Sequence, residues 1–352
     1  MKILFVKNTW IGNVFDSFVN SFKKSGHEVN VFCFRSENSI MKKLKLHNII
    51  QVKNFLTNRE IYNSNRLVLN EFQKFKPDLF ISINEASILP ETVNFIQKKN
   101  CFTVNFVADN PFDPLRFSFY PITLKYYNLI FVHDKIWIHS IRNIAPKSRV
   151  EKIICGGGYD PSLFFPVEYE EITDDERERL KCDISFTGES YWMKGEGGYR
   201  AGILDQLGDY NVKIWGDSGW KKRFPYYFNL KRFYQGERLT YEDLRKLYRV
   251  SIIVLNMPSP QIFTGFQPRT FEIAACKGFQ IADWREELDE WFTEDELVTF
   301  KDIPDLFDKI EFFLKNPDKR ASYVENIYKK VVNNYTWDER VKDILNIITE
   351  CL

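Results

Sequence analysis

The chain has 352 residues, more than one hydrophobic core usually organises, and its 44% hydrophobic and 16% aromatic content is enough for two cores. Its 49 Lys plus Arg offset 48 Asp plus Glu to a formal charge of +1, which removes the broad basic surface that non-specific nucleic-acid binding needs. The six cysteines, Cys33, Cys101, Cys155, Cys182, Cys276 and Cys351, form no C-x-x-C pair and mostly lie in or beside apolar runs. Buried free thiols in a reducing cytoplasm are therefore expected, rather than disulfides or zinc ligands.

The N-terminal MKILFVKNTWIGN breaks off after four apolar residues, too short for the core of a signal peptide. Lys2 to Val6 reads as a buried strand; Phe15, Phe18, Val19 and Phe22 follow at helical spacing, Gly26 closes that segment, and Glu28 to Phe34 opens the next strand. Further strands are expected at Asp78 to Ile83, Phe102 to Ala108, Leu129 to His133 and Val150 to Cys155, with helical segments between most of them. Such alternation implies a mostly parallel sheet with helices on both faces. Gly156 to Gly158, Pro161 and Pro166 then break the pattern, and the acidic run from Glu168 to Glu178 reads as a solvated face or linker. A domain boundary is placed near Pro166. Beyond it strands are expected at Asp183 to Phe186, Val212 to Trp215, Ser251 to Leu255, Phe279 to Ala282 and Leu297 to Phe300, and helices at about 304 to 315, 318 to 333 and 337 to 350 close the chain. No run approaches the roughly 20 apolar residues of a membrane span. A cytoplasmic protein is expected.

Several enzyme classes share this organisation, and motifs exclude some of them. Val6 is followed by KNTWIGN rather than G-x-G-x-x-G, which weighs against NAD or FAD. Neither a P-loop nor a G-x-S-x-G elbow is present. His27, His47, His133 and His139 make no metal-type cluster, so no metal site is expected.

The most informative segment is FQPRTFEIAACKGFQIADW, Phe266 to Trp284. A Pro near the start, a helical apolar pattern and Gly278 at the position of a C-cap predict a helix fed by the preceding strand. Its amide groups, with Arg269 beside them, suit a phosphate, and Glu272 lies three residues on along the same face. A surface ion pair between Arg269 and Glu272 explains the same spacing equally well.

This segment resembles the C-terminal motif of the CgeB-like group of GT-B glycosyltransferases, related to the group 1 transferases. DISFTG (Asp183 to Gly188), VKIWG (Val212 to Gly216), VADNP (Val107 to Pro111), GGYDPSLFFP (Gly157 to Pro166) and TWDER (Thr336 to Arg340) resemble further family segments in the same order, over nearly the whole chain. The resemblance implies two Rossmann-like domains facing a central cleft: an acceptor-side domain over 1–165, a donor-side domain over 166–335, and a helix over 336–352 returning to the N-domain. It also implies a nucleotide-sugar donor as substrate, no cofactor, and a glycan, lipid-linked or protein acceptor. Related retaining transferases use two Glu residues eight positions apart. Here the first matches Glu272, but Gln280 stands at the second, and Lys277 stands where the family more often has Gly. Asp283 is a rival for a donor hydroxyl, and Thr270 and Gly216 are further candidate donor contacts.

Departure of a diphosphate from a sugar needs cations and N–H donors on one side and carboxylates on the other. Arg269 with Lys194 or Arg200 supplies the cations, and Gly188 would admit backbone close to the phosphates. In the N-domain, Gly12 and Asn13 follow the first strand at the ligand-facing edge of the sheet. Asp109 is read as an acceptor base or a cap of the Asn110–Pro111 turn, and His133 as a second catalytic candidate or a structural histidine. The stretch from Trp220 to Tyr234, WKKRFPYYFNLKRFY, mixes cations with aromatics and suits either a domain-interface loop or a peripheral contact at the inner face of a membrane. A nucleotide-sugar epimerase of the same fold, or a binding protein without turnover, are the competing functions.

Overall fold

The computed structural model describes residues 1–8, 13–34, 50–83, 87–113, 119–153, 157–191, 197–332 and 334–352. Contacts separate two compact units, Met1–Cys155 with Arg340–Leu352, and Gly156–Glu339. The segment before Pro166 is tied into the second unit, where Arg245 donates to the Leu163 carbonyl at 2.9 Å and Tyr159 N to the Tyr335 carbonyl at 3.0 Å.

In the first unit β1 (Lys2–Asn8), β2 (Glu28–Phe34), β3 (Leu79–Ile83), β4 (Phe102–Val107), β5 (Leu129–Val132) and β6 (Arg149–Lys152) form one sheet in the order β2-β1-β3-β4-β5-β6, every pair parallel. The expected last strand, Val150 to Cys155, is shorter and starts one residue earlier. Helices cover both faces, so strand residues of both parities are buried and the strands read as continuous apolar runs. Leu4 and Val6 pack with Val68, Phe80 and Ile130. On the opposite face Phe5 meets Phe15, Phe18 and Phe22 of the helix Asn13–Lys24, edge to face with centroids 5.1 to 6.1 Å apart. Each such pair adds about 0.5–1.5 kcal/mol to the burial of its rings. The final helix, Trp337–Cys351, ends in this unit, where Arg149 pairs with Glu350 at 3.2 Å.

In the second unit β7 (Ile184–Thr187), β8 (Val212–Trp215), β9 (Tyr234–Gly236), β10 (Ile253–Asn256), β11 (Gln280–Asp283) and β12 (Val298–Phe300) run β12-β11-β10-β7-β8-β9, again all parallel. The sequence misses only β9 among these, a three-residue edge strand ending in Gly236. The acidic run is largely exposed, as a solvated face should be, and part of it is ordered. It forms a helix, Asp174–Leu180, started by a capping box between Thr173 and Glu176, and its Leu180 packs with Val167, Ile172, Trp215 and Leu247. Lys246 hydrogen-bonds Glu176 at 2.7 Å and holds that carboxyl down at about 2. Cys33, Cys101, Cys182, Cys276 and Cys351 are unpaired, and burial pushes the Cys101 thiol up to about 12 and Cys182 to about 11. Among the described residues no helix is long and apolar enough to cross a membrane.

Candidate functional site

Strand order in the second sheet reverses between β7 and β10, so the loops leaving their carboxyl ends diverge and leave a crevice. A cavity of about 340 Å³ lies there. Thr187, Gly188, Arg200 and Arg269 give it a polar lining, and Trp215, Leu239, Tyr241 and Leu244 an apolar one. Few of these residues stand out in the sequence. They come from the ends of β7 and β8, the segment after β9, and the helices Gly197–Asp205, Tyr241–Val250 and Arg269–Ala275, and only the sheet topology brings them together.

The loop after β7 is held from all sides. Asp217 accepts from Ser190 N and Oγ, Arg223 donates to the Ser190 and Tyr191 carbonyls, and Trp220 Nε1 donates to the Gly188 carbonyl at 2.9 Å. Gly216 belongs to this packing rather than to the cavity. A Cβ on it would stand 2.0 Å from the Gly188 carbonyl oxygen and 2.6 Å from Trp220 Nε1. Gly216→Ala is therefore expected to destabilise the protein by on the order of 2–4 kcal/mol, measurable as a drop in denaturant midpoint at unchanged slope.

Arg200, buried in the helix Gly197–Asp205, donates from Nε to the Pro258 carbonyl at 3.1 Å, from Nη2 to Met257 at 2.8 Å and from Nη1 to Glu189 at 3.3 Å. It thus clamps the β7 and β10 loops across the switch point. Three of its five donors are committed to backbone, and the cation rests against the Phe186 and Tyr191 rings. Desolvation lowers its pKa to about 10, which still leaves it charged at neutral pH.

The helix Arg269–Ala275 differs from expectation at its start. The amides of Thr270, Phe271 and Glu272 already donate to the carbonyls of Gln267 and Pro268, so they are not a row of donors for a phosphate. The side chains fare differently. Arg269 is half-buried in the lining of the cavity, and it has no hydrogen-bond or ion-pair partner among the described residues. Glu272 forms neither, so the expected surface ion pair between them is absent. Glu272 keeps some exposure yet lies deep among protein atoms. Desolvation raises its carboxyl to about 7, against the opposing pull of Arg269. Nearby, the buried Thr187 and Tyr248 hydroxyls face each other.

Gln280 and Asp283 are both tied to protein groups. Gln280 Oε1 accepts from Asn256 Nδ2 at 2.8 Å and its Nε2 donates to the Thr270 carbonyl at 2.9 Å. Asn256 also donates to the Thr270 hydroxyl at 3.0 Å. This buried triangle ties β10 and β11 to the helix start and gives Gln280 a structural role. Asp283 is held bidentately by Arg285 at 2.8 and 2.9 Å and accepts from Tyr199 at 3.2 Å. Lys277, where glycine is more usual in the resembling family, takes φ +55°, a left-handed conformation that costs a side-chain-bearing residue about 1–2 kcal/mol.

In the first unit His133 is buried, its ring edge-on to Trp137, and Nδ1 donates to the Val107 carbonyl at 3.0 Å. That bond fixes the tautomer and couples β5 to β4. Asp109 lies two residues beyond β4 and is half-buried. Asn13 opens the first helix. Gly12 and Lys194 lie outside the described residues. Among the described residues no three His, Cys, Asp or Glu side chains come together as a metal set.

Two six-stranded parallel α/β units of this kind are the GT-B fold, and residues 200–346 match the family model described as "Glycosyl transferase-like". The resemblance drawn from the motifs stands. "Spore protein CgeB" of Bacillus subtilis (strain 168) is 28% identical over 103 residues, covering 26% of this chain and 31% of the relative, so the match spans under a third of that protein. Among solved structures the chain is similar to "Sucrose-phosphate synthase (tll1590) from Thermosynechococcus elongatus", with a TM-score of 0.71 at 14% identity over 99% of this chain and 98% of the other. A glycosyltransferase from Rickettsia africae ESF-5 gives 0.67 at 16% identity, covering 99% and 98%. Anabaena Alr3699/HepE in complex with UDP-glucose gives 0.66 at 14% identity, covering 99% and 100%.

Proposed function

We propose that this chain is a glycosyltransferase that binds a nucleotide-sugar donor in the cavity at the β7/β10 switch point and passes its sugar to an acceptor with retention of configuration. One observation carries the reading. Arg200, Gln280 and Asp283 each make two or more hydrogen bonds to protein groups, whereas the side chains of Arg269 and Glu272 have no hydrogen-bond or ion-pair partner among the described residues. Arg269 lines the cavity and Glu272 lies three residues on in the same helix, a cation and a carboxylate that match the two ends of a breaking sugar–phosphate bond. Arg269, backed by the charge of Arg200, takes the diphosphate, while Glu272 takes hydroxyls of the donor sugar. Trp215, Leu239, Tyr241 and Leu244 supply the apolar surface that a nucleobase needs. Cations then do the work that a divalent ion does elsewhere, so the reaction is metal-independent and needs no cofactor beyond the donor. The UDP-glucose complex of a protein of the same fold makes a uridine donor the first to try. The acceptor side falls to the first unit, and the reaction belongs in the cytoplasm, where nucleotide sugars are made.

The test is phosphorus and proton NMR of the protein with a panel of UDP-, GDP- and dTDP-sugars, with and without EDTA. Slow release of nucleoside diphosphate that survives chelation is expected. Conversion to a second nucleotide sugar would assign an epimerase instead, and shift perturbation without turnover a binding protein.

A further inference from the structure

The segment from Trp220 to Tyr234 divides into two sets of side chains. Trp220, Leu230 and Phe233 are buried in the core of the second unit, Phe224, Tyr227 and Tyr234 pack against it, and Arg223 is buried under the loop after β7. These fix the backbone. The remaining side chains are exposed: Tyr226 is 73% and Phe228 is 93% exposed, with Lys221, Lys222, Lys231 and Arg232 exposed around them in sequence, Arg232 also donating to the Gly208 carbonyl. No acidic residue occurs between Ser218 and Gln235. Two acidic side chains beside this segment, Asp205 and Asp217, are taken up by accepting from Asn229 N and from Ser190 and Gly219.

A phenylalanine held in water on an ordered backbone gains nothing for the fold, and a surface of one sign beside it selects its partner. We infer that this surface is a docking site for an anionic lipid bilayer, with Tyr226 and Phe228 entering the headgroup layer and Lys221, Lys222, Lys231 and Arg232 meeting the lipid phosphates. The two kinds of contact complement each other. Aromatic side chains partition into the interfacial layer, and each cation near an anionic leaflet strengthens binding by about fivefold. Neither alone holds a protein of this size, and together they give a reversible attachment that salt weakens. The inference does not depend on the transferase reading, because no residue of the surface belongs to the cavity.

The full chain is mixed with sucrose-loaded vesicles of phosphatidylcholine, with or without phosphatidylglycerol, at about 0.1 M salt and then at higher salt, and the sedimented fraction is measured. Binding to the anionic vesicles alone is expected, falling with salt. Tyr226→Ser with Phe228→Ser, and separately Lys221→Glu with Lys231→Glu, should each reduce it by at least about tenfold while leaving the melting temperature unchanged, since all four side chains are exposed. Wild-type protein that stays in the supernatant would overturn the inference, as would double variants that sediment like the wild type. A third outcome would also overturn it in favour of a soluble polyanion: heparin binding lost in the charge variant, with vesicle binding indifferent to Tyr226 and Phe228.

Discussion

Arg269→Ala should weaken the binding of UDP, followed by calorimetry, by roughly 10- to 150-fold. A hydrogen bond between a charged donor and a phosphate contributes about 1.5 to 3 kcal/mol, and each 1.4 kcal/mol is a factor of ten in affinity. The full effect is expected because the Arg269 side chain has no hydrogen-bond or ion-pair partner among the described residues, so its truncation removes a ligand contact without breaking such a bond there. The same feature makes the melting temperature of the variant close to that of the wild type. Arg269→Lys keeps the charge but not the planar fork and should fall between the two. An unchanged dissociation constant in the folded alanine variant would move the diphosphate away from this side chain.

The second large effect concerns Glu272. Its carboxyl is raised to about 7 by desolvation, so in the free protein near neutral pH it is partly protonated. If the carboxylate form accepts hydrogen bonds from the donor sugar, kcat/KM should climb as pH rises through about 7 and level off above it. Glu272→Gln should remove that limb and lower kcat on the order of a hundredfold, with nucleotide affinity nearly kept, because the interaction strengthens as charge develops. Stability moves the other way. A carboxyl whose folded pKa lies above its unfolded value holds its proton more tightly in the folded state, so folding is favoured at low pH and stability declines as pH rises from about 4.5 to about 7. The glutamine variant escapes that decline. Relative to wild type it should melt higher at pH 8, by at most about 3 kcal/mol, with the difference gone at pH 4. A variant with wild-type turnover, or one whose pH profile keeps the limb, would return Glu272 to a structural role. The anomeric configuration of the product is a separate check. With retention, the acceptor oxygen attacks from the face of the leaving group, a donor phosphate oxygen takes its proton and no side chain forms a covalent bond, so an inverted product refutes the retaining assignment.

The candidate site separates into parts legible before the structure and parts that were not. Arg269 and Glu272 stand out in the chain because they open a helix inside the segment that carries the family resemblance. Spacing alone makes them as good an ion pair as a binding pair, and only their placement in the fold keeps them apart. Gln280 at the position of a carboxylate reads as a weakened ribose contact. It is instead one corner of a triangle with Asn256 and Thr270, which lie 24 and 10 positions away in sequence. Arg200 reads as a phosphate ligand and serves first as a clamp on three carbonyls, a role that needs the ends of β7 and β10 to be adjacent. The apolar lining from Trp215, Leu239, Tyr241 and Leu244 carries no local mark at all.

Where the strands fall is a local matter, and the sequence by itself determined it. A strand buried on both faces must be apolar at every position, and the helix between two such strands must carry one apolar stripe, so β1, β2, β7 and β8 with the helices beside them can be read from neighbouring residues alone. The same reasoning fails at β9, which has one neighbour strand, three residues and a glycine, and at the acidic helix Asp174–Leu180, whose charge hides its capping box. Only the tertiary structure decided which polar groups have partners. A hydrogen bond or ion pair is satisfied by whatever the fold brings within about 3 Å, and for Arg200 and Gln280 those partners come from other strands and loops, whereas for the side chains of Arg269 and Glu272 none arrives among the described residues.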